Sequence, residues 1–189
     1  MNLKTCGVPA ALTAALGLLL LTEPAAAATF TYDGTTVGAP TWNRPIEDGS
    51  ALSANGNAVP FSVFQFQVTQ AGDYTFNSQQ AGTFNGFIFV YQGTFNPLTP
   101  LNNFLAANNN ITPGNQTQSR IQNLSLVTGL DYFFVTTGVQ NTDFGTFRNS
   151  ILGGPGDAVP TPEPASVVGF LALGAGGVLS RKRDRHPVI

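Results

Sequence analysis

The chain has 189 residues, and only 10% of them are charged. Its one cysteine and one histidine, Cys6 and His186, lie near the two ends. The body between the ends therefore offers no thiolate or imidazole, which excludes internal disulfides, zinc sites built on those ligands, and Ser-His-Asp or Cys-His catalysis. The body has seven carboxylates, three arginines and no lysine, a net charge of −4 that argues against nucleic-acid binding.

The first 28 residues have the pattern of a secretory signal peptide. Lys4 precedes an apolar stretch from Val8 to Leu21, and small residues follow up to Ala28. We predict a signal helix over residues 1–28 and cleavage after Ala27 or Ala28. The alternative, a helix of the protein core, would have no polar face to show to water.

Between the ends the apolar pattern has a period of two, in short segments separated by Gly, Asn and Pro. This pattern is typical of half-buried strands. Strands are predicted at Phe61–Val68, Tyr74–Phe76, Phe87–Tyr91, Ile121–Leu126, Leu130–Val135 and Phe144–Ile151, with a turn at Ala71–Asp73. The nearly continuous apolar runs at 87–91 and 130–135 are expected to be central strands.

The predicted fold class is therefore all-β. We expect residues 29–157 to form one antiparallel β-sandwich or jelly-roll ectodomain. Residues 33–58 are expected to be a long irregular connection, with Trp42 packing over an open end of the sandwich.

The C-terminal residues combine three features. Pro162-Glu163-Pro164 ends a Pro-rich linker over 158–164, an apolar run covers 165–180, and Arg181-Lys182-Arg183 opens a basic tail over 181–189. We predict a single transmembrane helix over the apolar run with the basic tail in the cytoplasm. A helix of this run would span roughly 22 Å against a hydrocarbon core of about 30 Å, so a buried soluble helix is the alternative.

The same three features resemble the PEP-CTERM sorting signal of bacterial exported proteins. The resemblance implies that a membrane-embedded exosortase recognises the tail, cuts near Pro162-Glu163-Pro164 and releases or transfers the protein at the cell surface. In the body, Pro40–Pro45, Ala71–Phe76, Phe89–Pro97 and Thr128–Gly138 resemble the β-sandwich ectodomains of cyanobacterial-type PEP-CTERM proteins. They are similar, more weakly, to the pre-peptidase C-terminal domain.

Two ligand sites are hypotheses at this point. Some pre-peptidase C-terminal domains hold calcium in acidic loops, and the corresponding loop here contains Asn108–Asn110, which could act with Asp131 or Asp143. Without carboxylates in that loop the affinity would be low, so no metal or other cofactor is expected beyond this calcium possibility. Trp42 is the residue we expect to offer an exposed aromatic face to a sugar ring.

Two functions follow as expectations. The first is a non-catalytic exported protein of the cell surface or extracellular matrix, attached transiently or stably to the inner membrane by its C-terminal helix. Its partners would be the membrane, an exosortase and an extracellular polysaccharide. The alternative is a secreted carbohydrate-binding module or weak glycoside hydrolase with a carboxylate pair, either Glu47 and Asp48 or Asp131 and Asp143.

Overall fold

The computed structural model describes residues 29–161, and these residues contain ten β-strands. The strands are β1 (Thr29–Thr35), β2 (Thr41–Trp42), β3 (Val59–Val68), β4 (Gly72–Gln80), β5 (Gly86–Gln92), β6 (Phe104–Asn108), β7 (Gln118–Leu126), β8 (Tyr132–Gly138), β9 (Thr146–Gly153) and β10 (Ala158–Pro160). The predicted all-β class is confirmed for this part of the chain.

The strands form two antiparallel sheets. The four-stranded sheet has the order β1-β9-β4-β7, and the six-stranded sheet has the order β10-β3-β8-β5-β6, with β2 paired to β3. Both sheets therefore join strands that are distant in sequence, since β9 lies between β1 and β4 and β8 lies between β3 and β5. The arrangement is consistent with a β-sandwich.

The main core lies between the two sheets, because inward-facing residues of both belong to one buried cluster. Phe66, Tyr132 and Phe134 from the six-stranded sheet share it with Tyr74 and Phe76 from the four-stranded sheet. All five have at most 1% of their surface exposed. Burial of each such side chain contributes roughly 1.5–3 kcal/mol, so these alternating positions fix which face of each strand turns inward.

A second apolar cluster covers the opposite face of the six-stranded sheet. Phe87, Phe89 and Tyr91 of β5 point into it, and Trp42 packs on them from the connection that precedes β3. β5 is thus buried on both faces, which explains its unbroken apolar sequence. β5 and β8 both have neighbours on each side, so the prediction of central strands at 87–91 and 130–135 is confirmed, although β8 begins at Tyr132.

Several predicted boundaries are wrong. The predicted turn at 71–73 includes the start of β4, which begins at Gly72, and the predicted irregular connection at 33–58 includes the end of β1 and all of β2. β6 was not predicted. The strand predicted at 144–151 runs from Thr146 to Gly153 and is followed by β10, which occupies Ala158–Pro160 of the predicted linker.

The predictions about the two ends concern residues 1–28 and 162–189, which lie outside the described residues. They include the signal helix, the cleavage site at Ala27 or Ala28 and the membrane helix over 165–180. Within residues 29–161 there is no helix long and apolar enough to cross a membrane.

Candidate functional site

A polar groove lies on the outer face of the four-stranded sheet. Its volume is about 260 Å³. It is lined by Thr31, Asn77, Ser78, Gln79, Ile111, Gln118, Ser119, Arg120, Arg148 and Ser150. All four strands of this sheet contribute, and Ile111 of the β6–β7 loop closes one side by donating its backbone N–H to the Gln118 carbonyl at 2.8 Å.

Strand pairing brings the two arginines of the groove together. Arg120 on β7 is paired with Asn77 on β4, and Arg148 on β9 is paired with Gln79, two residues further along the same strand. The arginines therefore flank β4 diagonally. Strand and residue spacings put their Cα atoms about 12 Å apart, within reach of one extended ligand laid across β4.

Arg120 is held in position by its neighbours. Its Nε donates a short hydrogen bond to Asn77 Oδ1, and its backbone N–H donates to Asn108 Oδ1 at 2.8 Å. Among the described residues the guanidinium makes hydrogen bonds through Nε alone. The two terminal nitrogens of a half-buried, oriented guanidinium therefore keep their capacity to bind an acceptor.

Arg148 is much more open. Its side chain is 64% exposed and its ion pair with Asp33 is long, with Nη1 and Oδ1 3.8 Å apart. Asp33 is itself 74% exposed. An exposed pair of this geometry contributes well under about 1 kcal/mol, so Arg148 can exchange Asp33 for another anion at small cost.

A layer of buried polar side chains lies in the core beneath this end of the sheet. Asn149 is fully buried and donates from Nδ2 to Tyr32 Oη at 2.8 Å and to Thr136 Oγ1 at 2.7 Å. Gln80 donates from Nε2 to Ser78 Oγ at 2.9 Å. Burial raises the pKa of Tyr32, against the opposing effect of its hydrogen bonds with Asn149 and Thr136. These bonds fix the strands that carry the groove.

The prediction of an exposed aromatic platform at Trp42 is wrong, because this side chain is buried. Only 4% of Trp42 is exposed, and its ring centroid lies 5.3–5.5 Å from those of Phe61, Phe89 and Phe95. Its Nε1 donates to Thr137 Oγ1 at 3.1 Å. The ring covers the outer face of the six-stranded sheet, not an open end of the sandwich, and offers no free face to a sugar.

Arg44 is a structural residue that the sequence analysis did not single out. It is 4% exposed, lies 4.5 Å above the Phe87 ring, and donates to the carbonyls of Pro45, Gly138 and Val139. Burial lowers its pKa to about 10, and the charge of Asp143 acts in the opposite direction. Arg44 joins the Trp42 segment to the β8–β9 loop. The signal in the sequence was that Arg44 is the only lysine or arginine of residues 33–58, close to Pro40 and Pro45.

Of the candidate carboxylate pairs, Asp131 and Asp143 are too far apart for glycosidase chemistry. Asp131 precedes β8 and accepts a bond from Gln67, whereas the Asp143 backbone lies against Gly138 at the other end of that strand. The two are roughly 20 Å apart by strand length, against about 5–10 Å for a glycosidase pair. Glu47 and Asp48 are both exposed, and each accepts hydrogen bonds from a backbone and a side-chain donor.

The asparagines proposed for calcium have protein partners. Asn108 Oδ1 accepts the Arg120 amide, and Asn108 Nδ2 donates to Glu47 Oε1 at 3.2 Å. The Asp131 carbonyl accepts the Gly93 amide at 2.7 Å, and Gly93 directly follows the C-terminal end of β5. Asn108 pairs with Ile88, near the N-terminal end of the same strand. Within residues 29–161 no three His, Cys, Asp or Glu side chains are grouped to hold a metal. The structure therefore separates Asp131 from these asparagines, whereas the calcium hypothesis with Asp143 stays a prediction.

The predicted sorting residues, Pro162 to Pro164 and Arg181 to Arg183, lie outside the described residues. The residues just before them are part of the sheet. β10 pairs with β3 as far as Pro160 opposite Phe66, and the Thr161 amide donates to the Gln65 carbonyl at 3.1 Å. The predicted sorting motif begins at Pro162, the residue after Thr161 in the sequence.

No protein-family model matches the chain, and a comparison with curated proteins returned no match.

Proposed function

We propose that the protein is a non-catalytic exported protein of the cell surface or extracellular matrix, whose C-terminus is sorted and processed by an exosortase. The observation that carries the proposal is the order of features at the C-terminal end of the sequence. The described sheet extends to Thr161, and in the sequence Pro162-Glu163-Pro164, an apolar run and a basic cluster follow. This order suits a tail that is read separately from the β-sheet body.

The composition of the body supports the non-catalytic part of the proposal. It has neither histidine nor cysteine, and its candidate pair Asp131 and Asp143 lies at opposite ends of β8. What the body does present is a polar surface of amides, hydroxyls and arginines on the four-stranded sheet. Such a surface suits binding better than general acid–base chemistry.

The finer description of the fold is part of the same proposal. A single β-sandwich of jelly-roll type would lie outside the inner membrane, after a cleaved signal helix and before a membrane helix over 165–180. The support is the cluster of buried side chains shared by both sheets and the apolar runs at the two ends.

Intact-mass analysis of the protein produced in an exosortase-containing host tests the proposal. We expect an N-terminus near Thr29 and a C-terminus near Pro164, with the product outside the cytoplasm. Changing both Pro162 and Pro164 to alanine should block C-terminal processing, while Pro113→Ala, in an exposed loop, should not. A full-length product retained in the cytoplasm would overturn the proposal.

A second function, binding of an extracellular polysaccharide, is favoured by one specific observation. The groove presents amides, hydroxyls and two guanidinium groups on one open face. These are the groups that recognise sugar hydroxyls and acidic substituents.

A further inference from the structure

We propose that the groove on the four-stranded sheet binds the carboxylate groups of an acidic polysaccharide, with Arg120 and Arg148 as the anion contacts. Access to such a polymer rests on the exported location proposed above. The binding chemistry does not, because it depends only on the groove.

The distribution of charge is the first argument. The body carries three arginines against seven carboxylates, and one of those arginines, Arg44, is buried under the Trp42 segment. Both remaining arginines line the groove, and no carboxylate of the described residues lines it with them. Asp33 lies beside the groove, 3.8 Å from Arg148, so the two arginines still leave one positive charge in excess, which favours anions at this face of an acidic body.

The fixed geometry of Arg120 is the second argument. Its hydrogen bond to Asn77 orients the guanidinium plane, and the terminal nitrogens form a fork that matches the two oxygens of a carboxylate. Because this side chain is already ordered, less conformational entropy is lost when a ligand binds. Arg148, whose side chain is largely exposed, then contacts a second acidic group of the same polymer.

The neutral lining is the third argument. The amides of Asn77, Gln79 and Gln118 and the hydroxyls of Thr31 and Ser150 lie in the groove between and beside the arginines. They provide donors and acceptors for sugar hydroxyls. No aromatic side chain of the described residues lines the groove. Hydrogen bonds and charge must then supply the affinity, and binding should weaken as the salt concentration rises.

Affinity electrophoresis of the purified full chain tests the proposal, with polygalacturonate as the acidic probe and dextran as the neutral one. We expect retardation by polygalacturonate only. Arg120→Gln and Arg148→Gln should each weaken it about tenfold, the effect of losing one charge-assisted contact. Gln122→Ala, exposed on β7 outside the groove lining, is the matched control and should bind normally.

Two further variants separate charge from geometry. Asp33→Asn removes the acidic neighbour of Arg148 and should strengthen binding two- to threefold. Arg120→Lys keeps the charge and loses the planar fork, so it should weaken binding severalfold. If Arg120→Gln does not fold, Arg148→Gln tests the proposal alone, since that side chain is largely exposed.

Three outcomes would overturn the proposal. They are equal retardation by dextran, unchanged binding of both folded arginine variants, and tighter binding of dextran sulfate than of polygalacturonate at matched charge. Failure of the exported location is measured separately, by the masses of the mature ends in cells. That result would leave this binding experiment unaffected.

Discussion

Replacement of Trp42 by alanine tests whether this side chain is part of the core or a surface platform. The indole ring lies between Phe61, Phe89 and Phe95 with 4% of its surface exposed, and it covers one face of the six-stranded sheet. Its removal would leave a cavity in the second apolar cluster. A surface platform could be removed with almost no loss of stability.

The expected loss follows from the contacts of the ring. Truncation of a buried tryptophan to alanine costs about 3–5 kcal/mol. The indole N–H bond to Thr137 Oγ1 adds little, because that hydroxyl keeps its bond to the Pro60 carbonyl at 2.7 Å. Against a typical stability of about 5–15 kcal/mol, Trp42→Ala would remove a large share. Trp42→Phe should cost about 1–2 kcal/mol, since it keeps most of the apolar contact.

Thermal unfolding followed by circular dichroism gives the measurement. Trp42 is the only tryptophan of the chain, so its fluorescence cannot report on the variants. We expect the melting temperature to fall by about 10–20 °C in Trp42→Ala and by about 3–8 °C in Trp42→Phe. In the unmodified protein the emission should be shifted to short wavelength and resist acrylamide quenching.

A fall of less than about 3 °C in Trp42→Ala would refute the reasoning. So would efficient acrylamide quenching of the unmodified protein. Either result would place the ring in solvent and would restore the exposed platform that the sequence indicated.

Three further predictions concern stability. Stability should fall as the pH rises above 10, because burial raises the pKa of Tyr32 and Tyr91, which keep their protons in the folded protein while the unfolded chain loses them. Urea titrations at several pH values should show a smaller fall in Tyr32→Phe. The lowered pKa of Arg44 has the opposite effect on the pH dependence. Gly138→Ala should cost more than about 2 kcal/mol in the same titrations, since its Cβ would lie 2.1 Å from a backbone oxygen of the β8–β9 loop. Arg44→Gln should cost about 3 kcal/mol and Arg148→Gln under about 0.5, and equal losses would contradict their different burial.

The strand pattern was predictable where alternation is regular and the inward residues are large. Phe64, Phe66 and Val68 identify β3, and the apolar run at 87–91 identifies β5, because the size and spacing of these side chains require burial. β6 and β10 were missed for physical reasons. β6 contains two alanines and β10 has three residues with a terminal proline, so both owe their strand conformation to the partners β5 and β3.

The position of Trp42 could not be predicted from its own segment. The local sequence has Gly, Pro and small polar residues and only two residues in strand conformation. What buries the ring is the outer face of β5, more than 40 residues later in the sequence, whose residues Phe87, Phe89 and Tyr91 need a cover. The unbroken apolar run of β5 shows that both of its faces are apolar, but it does not say which segment covers them.

The sequence predicts that the two arginines of the groove face outward, but not that they lie close together. Ile121 and Phe147 mark the inward positions of β7 and β9, so the adjacent Arg120 and Arg148 fall on the outward face by alternation. Their proximity is not contained in that pattern. It depends on the insertion of β4 between β7 and β9, pairings that join residues some 40 to 80 positions apart in the sequence.

The two sheets differ in the side chains on their outer faces, and this difference decides where a ligand can bind. The six-stranded sheet has apolar side chains on its outer face and is covered by Trp42 and its neighbours, whereas the outer face of the four-stranded sheet carries polar side chains and stays open. The tail leaves from β10, an edge strand of the six-stranded sheet. The proposed anchoring and the proposed binding therefore use different sheets, so Arg148→Gln should abolish neither export nor processing, and changing Pro162 and Pro164 should leave polysaccharide binding intact.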